Sequence, residues 1–174
     1  MSINRASKFN AITFEMFDKL REIFEYLGRN GSDVRAIVFT GEGKHFSAGL
    51  DLKSAMQMQQ LRAQGGERDP ARAAMDFFNV VKPLQDSVSS LELVRVPVIA
   101  AINGLCIGAG VDLSSAADIR IASAGAKFTI KEVDIGLAAD IGTLQRFQKV
   151  VGNDSWSREL SYTARFFLAE EALQ

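Results

Sequence analysis

Apolar residues in the first part of the chain recur with the period of a helix. Between Ile12 and Arg29 they fall at Phe17, Leu20, Ile23, Phe24 and Leu27, which predicts an amphipathic helix. Thr13 is placed to cap its start, Glu15 lies in the first turn, and Gly28 and Gly31 mark the exit. The pattern then switches. Val34 to Thr40 (VRAIVFT) is rich in β-branched residues and ends at Gly41-Glu42-Gly43, as a buried strand would. From Lys53 to Asp69 the chain is polar, rich in Gln and Met, and broken by Gly65-Gly66. That stretch predicts a mobile loop or frayed helix over a site, with the Met56/Met58 pair as gap-filling packing.

Pro70 suits the first turn of a helix running through Ala74, Phe77, Phe78 and Val81, which Pro83 should kink or divide before Leu84–Val94. Pro97 opens a short buried strand, Val98–Ile102, and two more strands are expected at Asp118–Ala122 and Lys127–Ile130. Helices are expected at Thr143–Val151, at Asp154–Thr163 and from Ala169 onward. Strands alternating with helices, without an internal repeat or linker, predict one α/β domain over 1–174. The first residues offer no opening strand and Gln174 falls in mid-helix, so both ends read as cut edges.

Composition narrows the chemistry. The chain has 174 residues, enough for a real core, and a formal net charge of −1 with both signs interspersed. That balance gives no footprint for nucleic acid or an anionic membrane surface. No run is apolar enough to span a bilayer, and MSINRASKFN lacks the apolar region of a signal peptide. One cysteine, Cys106, and one histidine, His45, cannot build a zinc cage or an internal disulfide, so no metal site is expected. Cys106, in an apolar glycine-flanked run, reads as a small buried hydrophobe, and His45 as structural or solvent-facing.

The candidate chemistry is concentrated between Gly104 and Asp140. Gly104-Leu-Cys-Ile-Gly108-Ala-Gly110 is a glycine-rich turn, and Asp112 follows in a small, apolar segment. Glu132 and Asp140 come twenty and twenty-eight positions after Asp112. A second turn, Ser47-Ala-Gly49-Leu50, follows the Val34–Thr40 strand. Turns of small residues that lead into helices leave backbone N–H groups unpaired. Two of them facing one point would form an oxyanion hole for a polarised carbonyl or enolate. With three carboxyl groups nearby, this suggests proton transfer on a substrate whose developing charge the backbone holds. Asp51, Asp118 and Asp134 fit caps, turns or a strand opening.

Taken together, Phe46-Ser-Ala-Gly-Leu-Asp-Leu52 and Pro97-Val-Ile-Ala-Ala-Ile-Asn-Gly-Leu-Cys-Ile-Gly-Ala-Gly110 resemble the paired signature of the crotonase (enoyl-CoA hydratase/isomerase) superfamily. Asn4-Arg5 and Asn10-Ala11 resemble its opening motif. The resemblance implies a crotonase-like spiral of ββα units over 1–150, with 151–174 starting a C-terminal helical part that is largely missing. It also implies homo-oligomers, trimer or hexamer, and an acyl-CoA thioester substrate without a separate cofactor. Carried over, the oxyanion donors are the N–H groups of Leu50 and Ala109. Ser47, Ala48, Gly49 and Asp51 fall in the segment that contacts CoA.

The trio Asp112, Glu132 and Asp140 resembles the Δ3,5-Δ2,4-dienoyl-CoA isomerase branch, which shifts two double bonds into conjugation during fatty-acid β-oxidation. We assign Glu132 as the base at C2, Asp140 as the acid at the distal carbon, and Asp112 as a group between them, with the reverse division of Glu132 and Asp140 left open. An enoyl-CoA hydratase, a monoene isomerase and a non-catalytic truncated chain are the alternatives. Peroxisomes and mitochondria are the family's compartments in eukaryotes.

Overall fold

The computed structural model describes residues 1–54, 56, 60 and 69–173. Its architecture is α/β. Four parallel strands, β1 (Ser2–Ile3), β2 (Ile37–Gly41), β3 (Val98–Ile102) and β5 (Ile119–Ala122), lie side by side in chain order. A second sheet joins β4 (Leu105–Ile107), β6 (Lys127–Thr129) and β7 (Phe167–Leu168), with β4 and β6 parallel and β7 antiparallel. Helices make the crossovers that parallel strands require: α1 (Phe14–Asn30), α2 (Pro70–Leu93) and α3 (Ala109–Ser115). Helices α4 (Thr143–Val151), α5 (Asp154–Thr163) and α6 (Ala169–Ala172) complete the described chain. None of its helices is long and apolar enough to cross a membrane among the described residues.

A spiral emerges from the way successive turns register. After β3 only Asn103-Gly104 intervenes before β4, so the chain steps directly from the first sheet to the second. β5 passes to β6 in the same way, through Ser123–Ala126. The turn after β2 stays short of a strand but bridges Ser47 to Cys106, which in turn faces Phe128 of β6. Each turn therefore delivers a strand to one sheet, a shorter segment to the other, and then a helix.

The core lies where α1 and α2 cover the first sheet. Phe17, Leu20 and Phe24 of α1 are buried, and the rings of Phe24, Phe39 and Phe46 follow edge-to-face at centroid distances of 6.2 and 5.6 Å. Each such side chain contributes about 2–3 kcal/mol by burial. Thr13 caps α1 as expected, its hydroxyl accepting from the Met16 N–H at 3.3 Å, and Gly31 closes it. Ile23, expected on the buried face, is 40% exposed.

Several expectations are corrected. The chain does open with a strand, because the Ser2–Ile3 backbone pairs with Thr40–Gly41 although it is only two residues long. β2 begins at Ile37, not Val34, and is not buried throughout: Val38 points outward at 51% exposure. Pro83 does not divide α2, which runs unbroken from Pro70 to Leu93. The carbonyl that loses its helical partner there belongs to Asn79 four residues earlier, on an exposed position of the helix. Leu105–Ile107 is a strand inside what the glycines marked as one turn, and Phe167–Leu168 is another that its two-residue length concealed. Met56 is 63% exposed and so does not fill a gap, while Met58 and most of the Lys53–Asp69 stretch lie outside the described residues.

Candidate active site

The two donor turns are built against each other by backbone. Ile12 N–H donates to the Gly49 carbonyl at 2.8 Å and Asp51 N–H to the Ile12 carbonyl at 2.9 Å. This parallel bridge turns the Leu50 N–H, which lies between them, to the other side. Gly49 has φ +89°, and a Cβ there would lie 2.7 Å from the Ile107 carbonyl oxygen and 3.5 Å from the Ala109 nitrogen. Only glycine allows that approach. At the second turn, Val111 and Asp112 N–H groups both return to the Gly108 carbonyl, at 2.7 and 3.1 Å. Among the described residues, the N–H groups of Leu50 and Ala109 have no protein acceptor.

Asn10 secures the frame. It is fully buried at φ 58°, its amide nitrogen donates to the Glu42 and His45 carbonyls at 2.9 and 2.7 Å, and its oxygen accepts from Arg5 N–H at 2.9 Å. His45 is structural, as expected: Nδ1 accepts from Leu105 N–H at 3.2 Å and its ring meets Phe9 edge-on. Ser47 and Asp51 serve the same frame. The Ser47 hydroxyl donates to the Asn10 carbonyl and accepts from Gly49 N–H, and Asp51 pairs with Arg5 at 2.7 Å and accepts from Lys53 N–H. Neither lines the cavity described next, whereas Ala48 and Gly49 do.

That cavity, about 160 Å³, brings most of the expected site together. Leu50, Gly108 and Ala109 bring the donor turns to its wall; Leu52, Phe77, Leu84, Leu137 and Ile141 make it apolar; Lys131, Glu132 and Asp140 are its charged residues. Glu132 begins a 3₁₀ turn, Glu132–Ile135, and its Oε1 would lie 2.8 Å from a Cβ on Gly108, which has φ +49°. The carboxyl therefore sits directly beside the Ala109 donor. Its Oε2 is buried without a hydrogen-bond partner. Burial, reinforced by the charge of Asp112 and more weakly of Asp140, pushes this carboxyl up to about 8.

Asp112 occupies a different place from its two companions. It is wholly buried on α3 behind the wall and does not line the cavity. Its Oδ1 accepts from Thr143 N–H at 2.5 Å, so it caps α4 from across the fold, and its Oδ2 is buried without a partner. Burial pushes the carboxyl up to about 6, against the Thr143 N–H bond and the Arg146 charge, which favour ionisation. Asp140 lines the cavity, and its carbonyl accepts from Gln85 Nε2 at 2.8 Å. Cys106 is buried, its thiol pushed up to about 12 by burial.

Comparison with known proteins decides the family. The model of the family described as "Enoyl-CoA hydratase/isomerase" matches residues 1–174. The chain belongs to the enoyl-CoA hydratase/isomerase family. Among curated relatives it is 45% identical over 173 residues to the mitochondrial Δ(3,5)-Δ(2,4)-dienoyl-CoA isomerase of Mus musculus, covering 99% of this chain and 52% of that one. It is 33% identical to the short-chain-enoyl-CoA hydratase of Clostridium acetobutylicum, over 100% of this chain and 61% of that protein. A Thermobifida fusca YX structure in complex with acetoacetyl-CoA superposes with a TM-score of 0.81 at 35% identity, covering 99% of this chain and 65% of that one. The chain thus spans about half the length of the mouse enzyme.

In this enoyl-CoA hydratase/isomerase chain, sequence reasoning passed over a group of polar residues that meet behind the acids. Gln85, Ser89, Glu92 and Arg146 carry polar contacts behind the cavity wall. An arginine four residues into a helix and three polar residues on another give no local signal that they meet.

Proposed function

We propose that this site isomerises 3,5-dienoyl-CoA thioesters to the conjugated 2,4-dienoyl thioesters. The observation that carries the reading is the placement of Glu132 and Asp140 in one apolar cavity beside the unpaired N–H groups of Leu50 and Ala109. The greater identity to the mouse isomerase than to the Clostridium hydratase supports it.

The thioester oxygen accepts from the Leu50 and Ala109 N–H groups, which puts C2 within the neighbourhood of the Glu132 carboxyl that abuts Gly108. Glu132 takes a proton from C2, and the electron pair spreads through the carbonyl and along C3 to C6 as a trienolate. The two donors stabilise its oxygen. Asp140 delivers a proton at C6, so one C–H bond breaks, one forms, and both double bonds move one position. Solvent then resets the two carboxyls. No electrons leave the substrate, so the reading calls for no redox cofactor or metal. A base raised toward 8 suits abstraction from a weakly acidic carbon, since proton transfer is most effective when the base is poised near the working pH. Asp112 acts through others: it holds the Thr143 end of α4 and raises Glu132 by its charge. A homo-oligomer, trimer or hexamer, accompanies this reading as a proposal that native sizing tests.

The test is to add a 3,5-dienoyl-CoA and follow the ultraviolet band of the conjugated 2,4-dienoyl thioester. The band is expected to grow with the unaltered chain and to fall by about a thousandfold in rate with E132Q, within the range that a positioned acid or base contributes. Hydration of crotonyl-CoA without any dienoyl conversion would move the assignment to a hydratase. Inactivity on both would mark a folded but non-catalytic chain.

A further inference from the structure

On α2, Gln85, Val88, Ser89 and Glu92 share one stripe, at spacings of three and four residues. All four touch the segment that carries Asp140 into α4. Gln85 Nε2 donates to the Asp140 carbonyl at 2.8 Å. Gly142 is wedged so closely that a Cβ on it would lie 2.9 Å from Val88 Cγ1 and 2.7 Å from Asp112 Cβ. One turn later Arg146, only 9% exposed, forks onto Glu92, with Nε to Oε1 at 2.8 Å and Nη2 to Oε2 at 2.5 Å. Its Nη2 also reaches the Ser89 hydroxyl at 3.0 Å, and Nη1 turns back to the Gly142 carbonyl at 3.3 Å.

Arg146 is therefore buried without touching the cavity. Four donor contacts fix its planar head, and all of them tie the first turn of α4 to α2 or to itself. The Glu92 side chain is 46% exposed, so loss of its partner leaves it hydrated instead of stranded. The cost of breaking the fork falls on geometry more than on desolvation.

We propose that Arg146 is a positioning residue for the reaction: clamped by Glu92 and Ser89, it holds the start of α4 against α2 and so fixes both Asp140 and the Thr143 N–H that Asp112 accepts. The proposal deepens the isomerase reading and rests on it for its kinetic arm. A lysine at this position keeps the charge but loses the fork, which separates geometry from electrostatics.

With a 3,5-dienoyl-CoA, R146K is expected to lower kcat about tenfold with KM within twofold, as a displaced catalytic group should. E92Q is expected to act in the same direction, and R146K/E92Q to cost no more than R146K alone, since both break one contact. The second arm is independent of turnover: carbon-13 titration of the Asp112 carboxyl in the full chain. The groups that face it are Glu132 from the 3₁₀ turn, Asp140 from the loop before α4, Arg146 from α4 and the Cys106 thiol from β4, with Glu92 of α2 behind Arg146. R146M is expected to move its midpoint up by roughly half a pH unit or more, and R146K to move it less. Wild-type kcat in R146K, additive losses in the double variant, or an unmoved Asp112 midpoint in R146M would each overturn the proposal. If the unaltered chain converts no dienoyl-CoA, the isomerase reading fails, while the titration still decides the role of Arg146; if R146M does not fold, R146Q, which also removes the cation but keeps a polar head, supplies the same titration with the same upward direction expected.

Discussion

The two functional walls of the cavity are held by different means. The donor wall is mainly a backbone construction: Gly49, Leu50, Gly108 and Ala109 are fixed by backbone bonds to Ile12 and Thr129, by the Ser47 hydroxyl on Gly49 N–H, and by close contacts at Gly49 and Gly108 that exclude a side chain. The acid wall is mixed: the Glu132 turn is closed by its own backbone bonds, while the stretch from Asp140 to Thr143 is held by the side chains of Gln85, Asp112 and Arg146. A backbone wall presents donors whose position changes little with neighbouring side chains. A side-chain wall can be retuned, because the pKa and the position of each acid depend on residues that never meet the substrate.

Breaking the donor wall gives the largest effect. Ala109 is the first residue of α3, where proline is tolerated but has no N–H to give. A109P is expected to lower kcat by about 10²–10³, the loss typical of one oxyanion donor, with little change in thermal unfolding. Loss of the fold in step with activity would mean that the donor cannot be separated from the frame.

The junction of the walls comes next. G108A places a methyl group 2.8 Å from Glu132 Oε1 and asks alanine to adopt φ +49°. It is expected to cost about 1–2 kcal/mol of stability from the left-handed backbone and to lower kcat at least about tenfold by displacing the carboxyl. Unfolding and steady-state rates on one sample measure both.

The acid wall should also announce itself through pH. With Glu132 as base and its carboxyl near 8, kcat/KM is expected to rise with pH along a limb centred near that value. D112N should bring the limb down, because it removes the neighbouring charge that helps to raise Glu132. A limb that falls with pH instead would reverse the roles of Glu132 and Asp140.

Stability carries the smallest signal. Asp112 and Glu132 stand at about 6 and about 8, above their ordinary values of 3.8 and 4.5. Between the unfolded and folded values the native chain binds more protons than the unfolded one, so unfolding free energy falls as pH rises from about 4 to about 8 and then levels. E132Q is expected to flatten the upper part of that slope, by something on the order of 1–2 kcal/mol. Unfolding in urea at several pH values would check it.

The same contrast explains what the sequence made legible. The donor turns could be read because their demands are local: glycine at positions 49 and 108 answers a steric requirement of its own backbone. Thr13, α4 and α5 were legible for the same reason, since caps and periodicity act within a few residues. β1 and β7 were not, because two residues have no periodicity and become strands only through their neighbours in the sheet. Asp112, Glu132 and Asp140 could be listed together, but not sorted. Their spacing did not reveal that Asp112 is buried behind the wall with Thr143 while the other two face the cavity.

The central claim is that Glu132 and Asp140 work at opposite ends of one trienolate. Turnover of a 3,5-dienoyl-CoA in D₂O, with the position of deuterium read by NMR, tests it most directly. The unaltered chain should place deuterium at C6 of the 2,4-dienoyl product. D140N should exchange the C2 hydrogens of the substrate while forming little product, and E132Q should do neither. Exchange at C2 that survives E132Q, or full conversion by D140N, would contradict the account.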